Sequence, residues 1–319
     1  MQRAEFSVRA PTRIDFGGGW TDVPPYDVEQ GGFVCNVAIS RYASVRFAPL
    51  EDPTAPPELV VQREGDRALL RAVARKYALD GARVSLTNDF PVAAGLGGSS
   101  AAGVAAIAGA LKWLGQKKSR AEIAEASREL EVLEMGIAGG RQDHYAAAFG
   151  GALGLHFRKW IGVEPIQLAP ETIEELPRRC IVVYTGESRI SANTITAVMG
   201  AYRAESSPVR DALKTMKDLA EQMVPALQSG DLDSLGRLVG EQWKYQRSLD
   251  PAIPTPLIDR MIQTAMDHGA IGCKALGASG GGCVLMIAGA GHGDEVRAAV
   301  RGMGTEISYS VDTQGVTPS

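Results

Sequence analysis

Apolar and polar positions alternate through the first third of the chain. Residues 5–9 read as a strand on that alternation, and residues 33–47 as a long strand rich in β-branched and aromatic side chains. Residues 59–62 and 83–87 are shorter strand candidates, and between them residues 66–79 repeat Ala, Leu and Val at helical spacing. Residues 100–114 are apolar nearly all round, which predicts a helix buried on every side. Ser119-Arg-Ala-Glu122 has the form of a capping box and starts a helix predicted to reach about Met135. Strands follow near 153–157 and 181–184. From 191 to 268 the pattern is amphipathic helix, broken at Gly230-Asp231 and at Pro251, Pro254 and Pro256. The end reads as strand 273–276, glycine loop, strand 283–287, helix 294–301 and strand 306–311, with a loose tail from about Gly315.

Early strands, central helices and a β-α-β end predict an α+β fold. We divide it into a β-rich N-terminal domain, residues 1–170, and a C-terminal α+β domain, residues 171–319, near Pro170 and Pro177. No internal repeat or low-complexity linker is present.

Composition sharpens this. Of 319 residues 37 are glycine, well above the ordinary share of about 7%. Fifteen of them fall in four clusters, at 17–19, 95–98, 136–151 and 277–282. A hydrophobic fraction of 45% and the lack of a G-X-Y period exclude collagen and a disordered linker. Clustered glycine in a globular chain marks places where backbone comes close to something.

One cluster has the most chemistry. Pro91-Val-Ala-Ala-Gly95-Leu96-Gly97-Gly98-Ser99-Ser100-Ala101 follows a strand and runs into the alanine-rich helix. Small residues let backbone N–H groups approach a ligand, and the helix N-terminus adds partial positive charge. Ser99 and Ser100 either cap that helix or offer hydroxyls to a phosphate-borne metal. The segment matches neither the P-loop nor the dinucleotide fingerprint. Arg13-Ile-Asp15-Phe-Gly17-Gly18-Gly19-Trp20-Thr21-Asp22 adds a cation and two carboxylates at a strand end, and Gly139-Gly140-Arg141-Gln142-Asp143-His144 a carboxylate after two glycines. Gly277-Ala-Ser279-Gly280-Gly281-Gly282 sits between two strands.

These segments resemble the motifs of the GHMP kinases. The 91–101 segment is similar to that superfamily's phosphate-binding loop, 13–22 to its N-terminal substrate motif, and Lys274 to Gly282 to its C-terminal glycine motif, in the same order. Gly18-Gly19-Trp20-Thr21-Asp22-Val-Pro-Pro-Tyr26, residues 31–39, Gly139 to Gly151 and Tyr184-Thr-Gly-Glu-Ser-Arg189 resemble the bacterial fucokinases and the D-glycero-D-manno-heptose 7-phosphate kinases. The chain departs from the heptose kinases in having Arg141 and His144 where Gly-Lys-Gln-Asp-Gln is usual. Trp20 is more like the fucokinases, and Ser279 stands where glycine is common.

The resemblance implies a two-domain GHMP kinase fold with ferredoxin-like elements in its C-terminal half. It implies an ATP- and Mg²⁺-dependent kinase acting on the anomeric hydroxyl of a sugar, either a heptose 7-phosphate or a fucose-like hexose. Galactose or mevalonate as acceptor, and a non-catalytic sensor of ATP and sugar, are the competing readings. Gly95, Leu96, Gly97, Gly98, Ser99, Ser100 and Ala101 would cradle the ATP phosphates, with Gly280 and Gly281 on the far wall. Ser100 and Glu131 match the metal ligands, with Glu134, one turn along the same helix, as the rival. Asp143 matches the base and Arg13 the group that stabilises the transferring phosphate. Asp22, with Gly18, Gly19, Trp20 and Thr21, matches the sugar site. Trp20 is either a stacking face or a core indole. Arg141 and Arg189 would hold a substrate phosphate, although Arg189 serves equally as a helix cap. His144 reads as structural.

The net charge of −4 gives no electrostatic footprint for nucleic acid or an anionic membrane. Residues 1–10 lack the apolar core of a signal peptide, and the longest apolar stretch, 101–111, is too short to span a bilayer. Cys35, Cys180, Cys273 and Cys283 stand far apart among apolar neighbours and read as buried thiols. The expectation is a cytoplasmic enzyme with a small-molecule sugar as its partner. Oligomeric state is open, a homodimer being compatible.

Overall fold

A computed structural model describes residues 4–134, 136, 139–187 and 191–318. The first sheet is built on two long strands, β1 (Phe6–Gly17) and β2 (Gly32–Pro49), joined by a turn that holds the short helix α1 (Tyr26–Glu29). β3 (Glu58–Val61) leads through α2 (Arg67–Tyr77) to β4 (Ala82–Asn88), and these two strands pair in parallel. β2 is long enough to hold two partners on one edge, β4 along 43–49 and β5 (Ala152–Phe157) along 32–37. β6 (Ile161–Ile166) extends the sheet beyond β5.

Between β4 and β5 the chain forms α3 (Gly98–Trp113), α4 (Arg120–Glu129) and α5 (Gln142–Phe149). α3 is buried almost all round, as its pattern predicts, and packs with Phe47, Leu70, Val73 and Leu86 against the sheet. Ser119 caps α4 with Glu122 in the reciprocal box expected from sequence. The helix does not continue to Met135 as one α-helix. It passes at Leu130–Glu134 into a wider π turn, with Glu131 in its first turn.

α6 (Pro170–Arg179) carries the chain to a second sheet, in which β7 (Cys180–Tyr184), β8 (Ala270–Ala275), β9 (Cys283–Ala288) and β10 (Thr305–Glu306) have the order β10-β7-β9-β8. α7 (Ser191–Arg203), α8 (Ser207–Ser229), α9 (Leu232–Ser248) and α10 (Pro256–Asp267) fill the interval before β8, and α11 (Gly293–Val300) follows β9. A core of Ile14, Phe16, Met223, Leu227, Leu235, Val182 and Leu285 joins the two sheets through α8 and α9.

Four expectations change. β6 holds Pro165 and α6 begins on Pro170 and contains Pro177, so the breaker residues hid both elements. α5 covers residues whose sequence shows a motif but no helical period. Of the strand predicted at 306–311 only Glu306, the end of β10, is strand, and the rest is a crossing segment. Ile307 still donates to Val182 of the second sheet, whereas Val311 already bridges Ile39 of the first. The tail is not loose: β11 (Thr317–Pro318) pairs with Val8 and Arg9 of β1. All four cysteines are buried and free, and burial pushes the thiols of Cys180, Cys273 and Cys283 up to about 12. Among the described residues no helix is long and apolar enough to cross a membrane.

Candidate active site

The glycine loop after β4 forms one wall of a cavity of about 550 Å³. Gly97, at φ +75°, turns the chain into α3, and no side chain caps that helix. The first α3 backbone bond runs from Ala101 N to Gly97 O, so the preceding N–H groups have neither a helical acceptor nor a capping side chain. This end of α3 is therefore a place for an anion. Ser99 and Ser100 lie within its first turn and do not cap it. A Cβ on Gly97 would stand 2.9 Å from Asp143 Cγ, so the loop and that carboxylate fit only because residue 97 has no side chain.

Arg13 links the motifs. Its side chain is 4% exposed, while that of Asp143 is 27% exposed. Nε and Nη2 both lie 2.7 Å from Asp143 Oδ1. Nη1 donates to Gly95 O at 2.6 Å, and the backbone N of Arg13 donates to Leu96 O at 3.0 Å. One residue of β1 thus fixes the glycine loop and the carboxylate at the start of α5.

Asp22 is fully buried at the same end of the cavity. Its Oδ2 accepts from the backbone N–H groups of Arg141 at 2.8 Å and Gln142 at 3.0 Å. Burial pushes its carboxyl up to about 6; Asp143 and Asp15 add to the rise, and the two backbone N–H donors oppose it. Gly140 is needed here, since a Cβ on it would lie 2.0 Å from Asp22 Oδ2. Gly140 therefore makes room for Asp22 and not, as the motif suggests, for Asp143, while a Cβ on Gly139 would meet only Glu131 Oε2, at 3.9 Å.

Ser99, Ser100 and Glu131 meet beside the start of α3. Ser99 Oγ donates to Glu131 Oε1 at 2.8 Å, and His144 Nε2 lies 3.0 Å from Glu131 Oε2 and 3.3 Å from Ser100 Oγ. His144 Nδ1 is 3.0 Å from Ser127 Oγ. Burial works to raise the Glu131 carboxyl, but the bonds from His144 and Ser99 outweigh it and hold it below its usual value. A buried carboxylate and two hydroxyls next to the glycine loop form a hard oxygen set of the kind that would fit Mg²⁺. His144, read as structural, orients the Glu131 carboxylate.

Several residues of the motifs do not reach the cavity wall. Thr21 Oγ1 bonds Gly18 O at 2.7 Å and accepts from Phe33 N at 3.1 Å, which staples the turn to β2. Gly18 packs on Phe33 and Ala220, and Ala101 is fully buried behind the loop. Arg141 turns away and pairs with buried Asp27. Gly277 and Ala278 line the cavity in place of Gly280 and Gly281, because Gly280 N and Ser279 Oγ both bond Ile253 O, at 2.9 and 2.7 Å. Ser279 takes φ +67° there, the conformation glycine supplies elsewhere. Trp20 lines the cavity yet packs with Val23 and Tyr26. Arg189 and the Glu134 side chain lie outside the described residues.

Sequence reasoning missed the far end of the cavity, where Arg63, Asp66, Asn88, Phe90 and Val92 line the wall. Arg63 lies 5.3 Å from the Phe90 ring centre, and Asn88 Nδ2 donates to Asp66 Oδ2 at 2.8 Å. Nothing in their spacing marks them. By contrast, Asp15, Gln142 and Lys274 sat within the motifs and could have been chosen.

Comparison with known proteins gives this geometry a family context. Residues 63–151 match the family described as GHMP kinases N terminal domain, and residues 223–306 match GHMP kinases C terminal. The chain is 27% identical to D-glycero-alpha-D-manno-heptose 7-phosphate kinase of Campylobacter jejuni, over 86% of each chain. It is 30% identical to mevalonate kinase of Thermococcus onnurineus over 74% of this chain and 69% of that one. Identity to the bifunctional fucokinase/GDP-fucose pyrophosphorylase of Arabidopsis thaliana is 26% over 90% of this chain, which spans 30% of that longer protein. The fold is that of a D-glycero-D-manno-heptose 1-phosphate kinase from Bacteriodes thetaiotaomicron, with a TM-score of 0.79, 24% identity and 98% of both chains covered.

Proposed function

This chain belongs to the GHMP kinases, and from that premise we propose that it transfers the γ-phosphate of ATP to the anomeric hydroxyl of a sugar. The observation that carries the reading is Asp143, clamped by Arg13 against the glycine loop at the mouth of α3.

The first-turn N–H groups of α3 hold the nucleotide phosphates, and the loop backbone wraps them. The far end, with Phe90 and Val92 beside the polar Asn88, takes the nucleoside. Asn88 Oδ1 is buried without a donor, which suits an amino group of the base. At the other end the sugar hydroxyl attacks the γ-phosphorus, the bond to the ADP oxygen breaks, and ADP leaves with the electron pair. Both Arg13 contacts fall on Asp143 Oδ1, so Oδ2 is the oxygen left to take the hydroxyl proton. Arg13 then faces the charge that builds on the phosphoryl oxygens. Ser100 and Glu131 would hold Mg²⁺, which neutralises phosphate charge.

The described lining suits the hydroxyls of a sugar. Asp15, Asp22 and Asp143 gather at the sugar end, and the lining cations among the described residues are Arg13 and Arg63. Arg63 stands by Phe90 at the nucleoside end, and Arg141 is committed to Asp27. A fucose-like hexose and a heptose 7-phosphate are the two acceptors the reading carries, and Arg189, outside the described residues, is the candidate holder for the phosphate of the second.

Purified protein with ATP, Mg²⁺ and a panel of free sugars, their phosphates and mevalonate tests the proposal through ADP release. Phosphorus NMR of the product gives the position modified. A C1-phosphorylated sugar is expected, with turnover lost in Asp143→Asn. No ADP from any acceptor would falsify the reading.

A further inference from the structure

Asp15 has no assigned task in the mechanism above, yet it is among the most constrained groups on the cavity wall. It lies near the end of β1, two residues beyond Arg13, with a side chain 4% exposed. Its Oδ2 is 3.1 Å from Lys274 Nζ, and the same Nζ donates to Asp15 O at 3.0 Å. Lys274 comes from β8 of the second sheet and is fully buried. Burial pulls its ammonium down from the usual lysine range, while Asp15 works in the opposite direction. A wholly buried lysine is rare unless paired, and here both of its bonds go to one residue.

Two observations show that this pair does more than join the sheets. Asp15 Oδ1 is buried and has no hydrogen-bond donor from the protein. A carboxylate oxygen left without a donor is costly, and on a cavity wall a ligand can supply one. The neighbouring motif residue also makes way for this carboxylate, since a Cβ on Gly19 would stand 2.3 Å from Asp15 Oδ2 and 3.2 Å from Gln142 Nε2. Position 19 is thus empty so that the carboxylate of position 15 can stand beside the cavity. On the same wall Trp20 Nε1 is buried without an acceptor. An unmatched acceptor and an unmatched donor on one wall call for a ligand that carries both, as a polyhydroxylated molecule does.

Building on the kinase reading, we propose that Asp15, fixed in place by Lys274, is a specificity-determining residue that accepts a hydrogen bond from one hydroxyl of the sugar. A phosphate group has no donor to offer Oδ1 and would add negative charge beside it, so the pair selects for a hydroxyl. Lys274 is a positioning residue. It holds Oδ2 and the backbone carbonyl of Asp15, and thereby leaves Oδ1 as the free acceptor in one orientation.

The test uses the free sugar that the wild type phosphorylates best, together with its monodeoxy analogues, and reads kcat/KM from ADP release. Among the analogues that wild type rejects, one should owe about 10- to 100-fold of its rejection to Asp15, the worth of a hydrogen bond to a charged group. Asp15→Ala/Lys274→Met removes both charges together and leaves neither buried alone. It should accept that analogue and the parent sugar equally, and keep wild-type ratios for the remaining analogues. Asp15→Asn keeps the side chain's shape if the double variant does not fold, and should narrow the same single ratio. Unchanged ratios in a folded variant overturn the proposal, and so does a loss spread evenly over all the sugars, which marks a purely structural pair. A wild type that phosphorylates no sugar overturns the kinase reading and this proposal with it, an outcome distinct from both.

Discussion

Arg13 grips Asp143 through a single oxygen: Nε and Nη2 each lie 2.7 Å from Oδ1, while Nη1 reaches back 2.6 Å to Gly95 O. The two residues are 130 positions apart and belong to different motifs. The clasp makes them one device. Arg13→Met should lower kcat about 10²–10³-fold and Asp143→Asn about 10²–10⁴-fold. The double variant should fall far short of the product of the two, since residues that act as a unit are not additive. Steady-state ADP release from the three variants decides this, and additive losses would show the clasp to be incidental.

Asp22 gives a pH signature in stability. Its folded value, about 6, lies above the 3.8 of an ordinary aspartate. Between those values the folded protein binds more protons than the unfolded chain, so this group's contribution to stability falls as pH rises from about 4 to 6. Asp22→Asn removes the titration and keeps an acceptor for the two N–H groups. The variant should gain on wild type by about 2 to 3 kcal/mol above pH 6, with the gap closing toward pH 4. Urea melts of both proteins across that range measure it. A gap that does not change with pH would count against the burial argument.

Gly140→Ala tests the same carboxylate sterically. The added methyl would meet Asp22 Oδ2 at 2.0 Å, and the loop and carboxylate must part. KM for the sugar should rise by tenfold or more, on the order of the loss of one charged hydrogen bond, while KM for ATP stays within about twofold. Equal changes in both constants would point to a general loosening of the fold.

Glu131→Gln should raise the Mg²⁺ concentration for half-maximal rate by about 10- to 100-fold, and His144→Gln should shift it the same way by less. His144 acts on Glu131 from 3.0 Å, without itself lining the cavity. A Mg²⁺ titration at fixed ATP distinguishes them. No shift in Glu131→Gln would move the metal to other ligands.

Much of this was legible in the sequence because it rests on local rules. The all-round apolar pattern of α3, the capping box at Ser119 and the glycine loop each follow from a handful of adjacent residues. The site residues that motif order singled out, Arg13, Asp22, Ser99, Ser100, Glu131 and Asp143, do converge on one cavity. What escaped depends on distant partners. Arg141 looks available for a phosphate until Asp27, 114 positions away, is seen to take it. Thr21 sits in the substrate motif but spends its hydroxyl on the backbone of Gly18 and Phe33. The 306–311 segment has the alternation of a strand, with Ile307 buried and Tyr309 half-buried. Alternation says which side faces in, not which of two sheets will receive it. Proline hid β6 and α6, since an edge strand and a helix start both tolerate it.

The ion pair between Lys274 and Asp15 spans 259 positions, and that span sets an order of events. A growing chain completes β1, β2 and the glycine loop long before residue 274 has been made, and until then Asp15 lacks the Lys274 ammonium that holds it. The part of the cavity wall around Asp15 is therefore among the last to take shape, closed by the arrival of β8 after loops with a high entropic cost have been ordered. The first sheet waits as well, since β1 packs on α8 and α9 and takes β11 as its last partner.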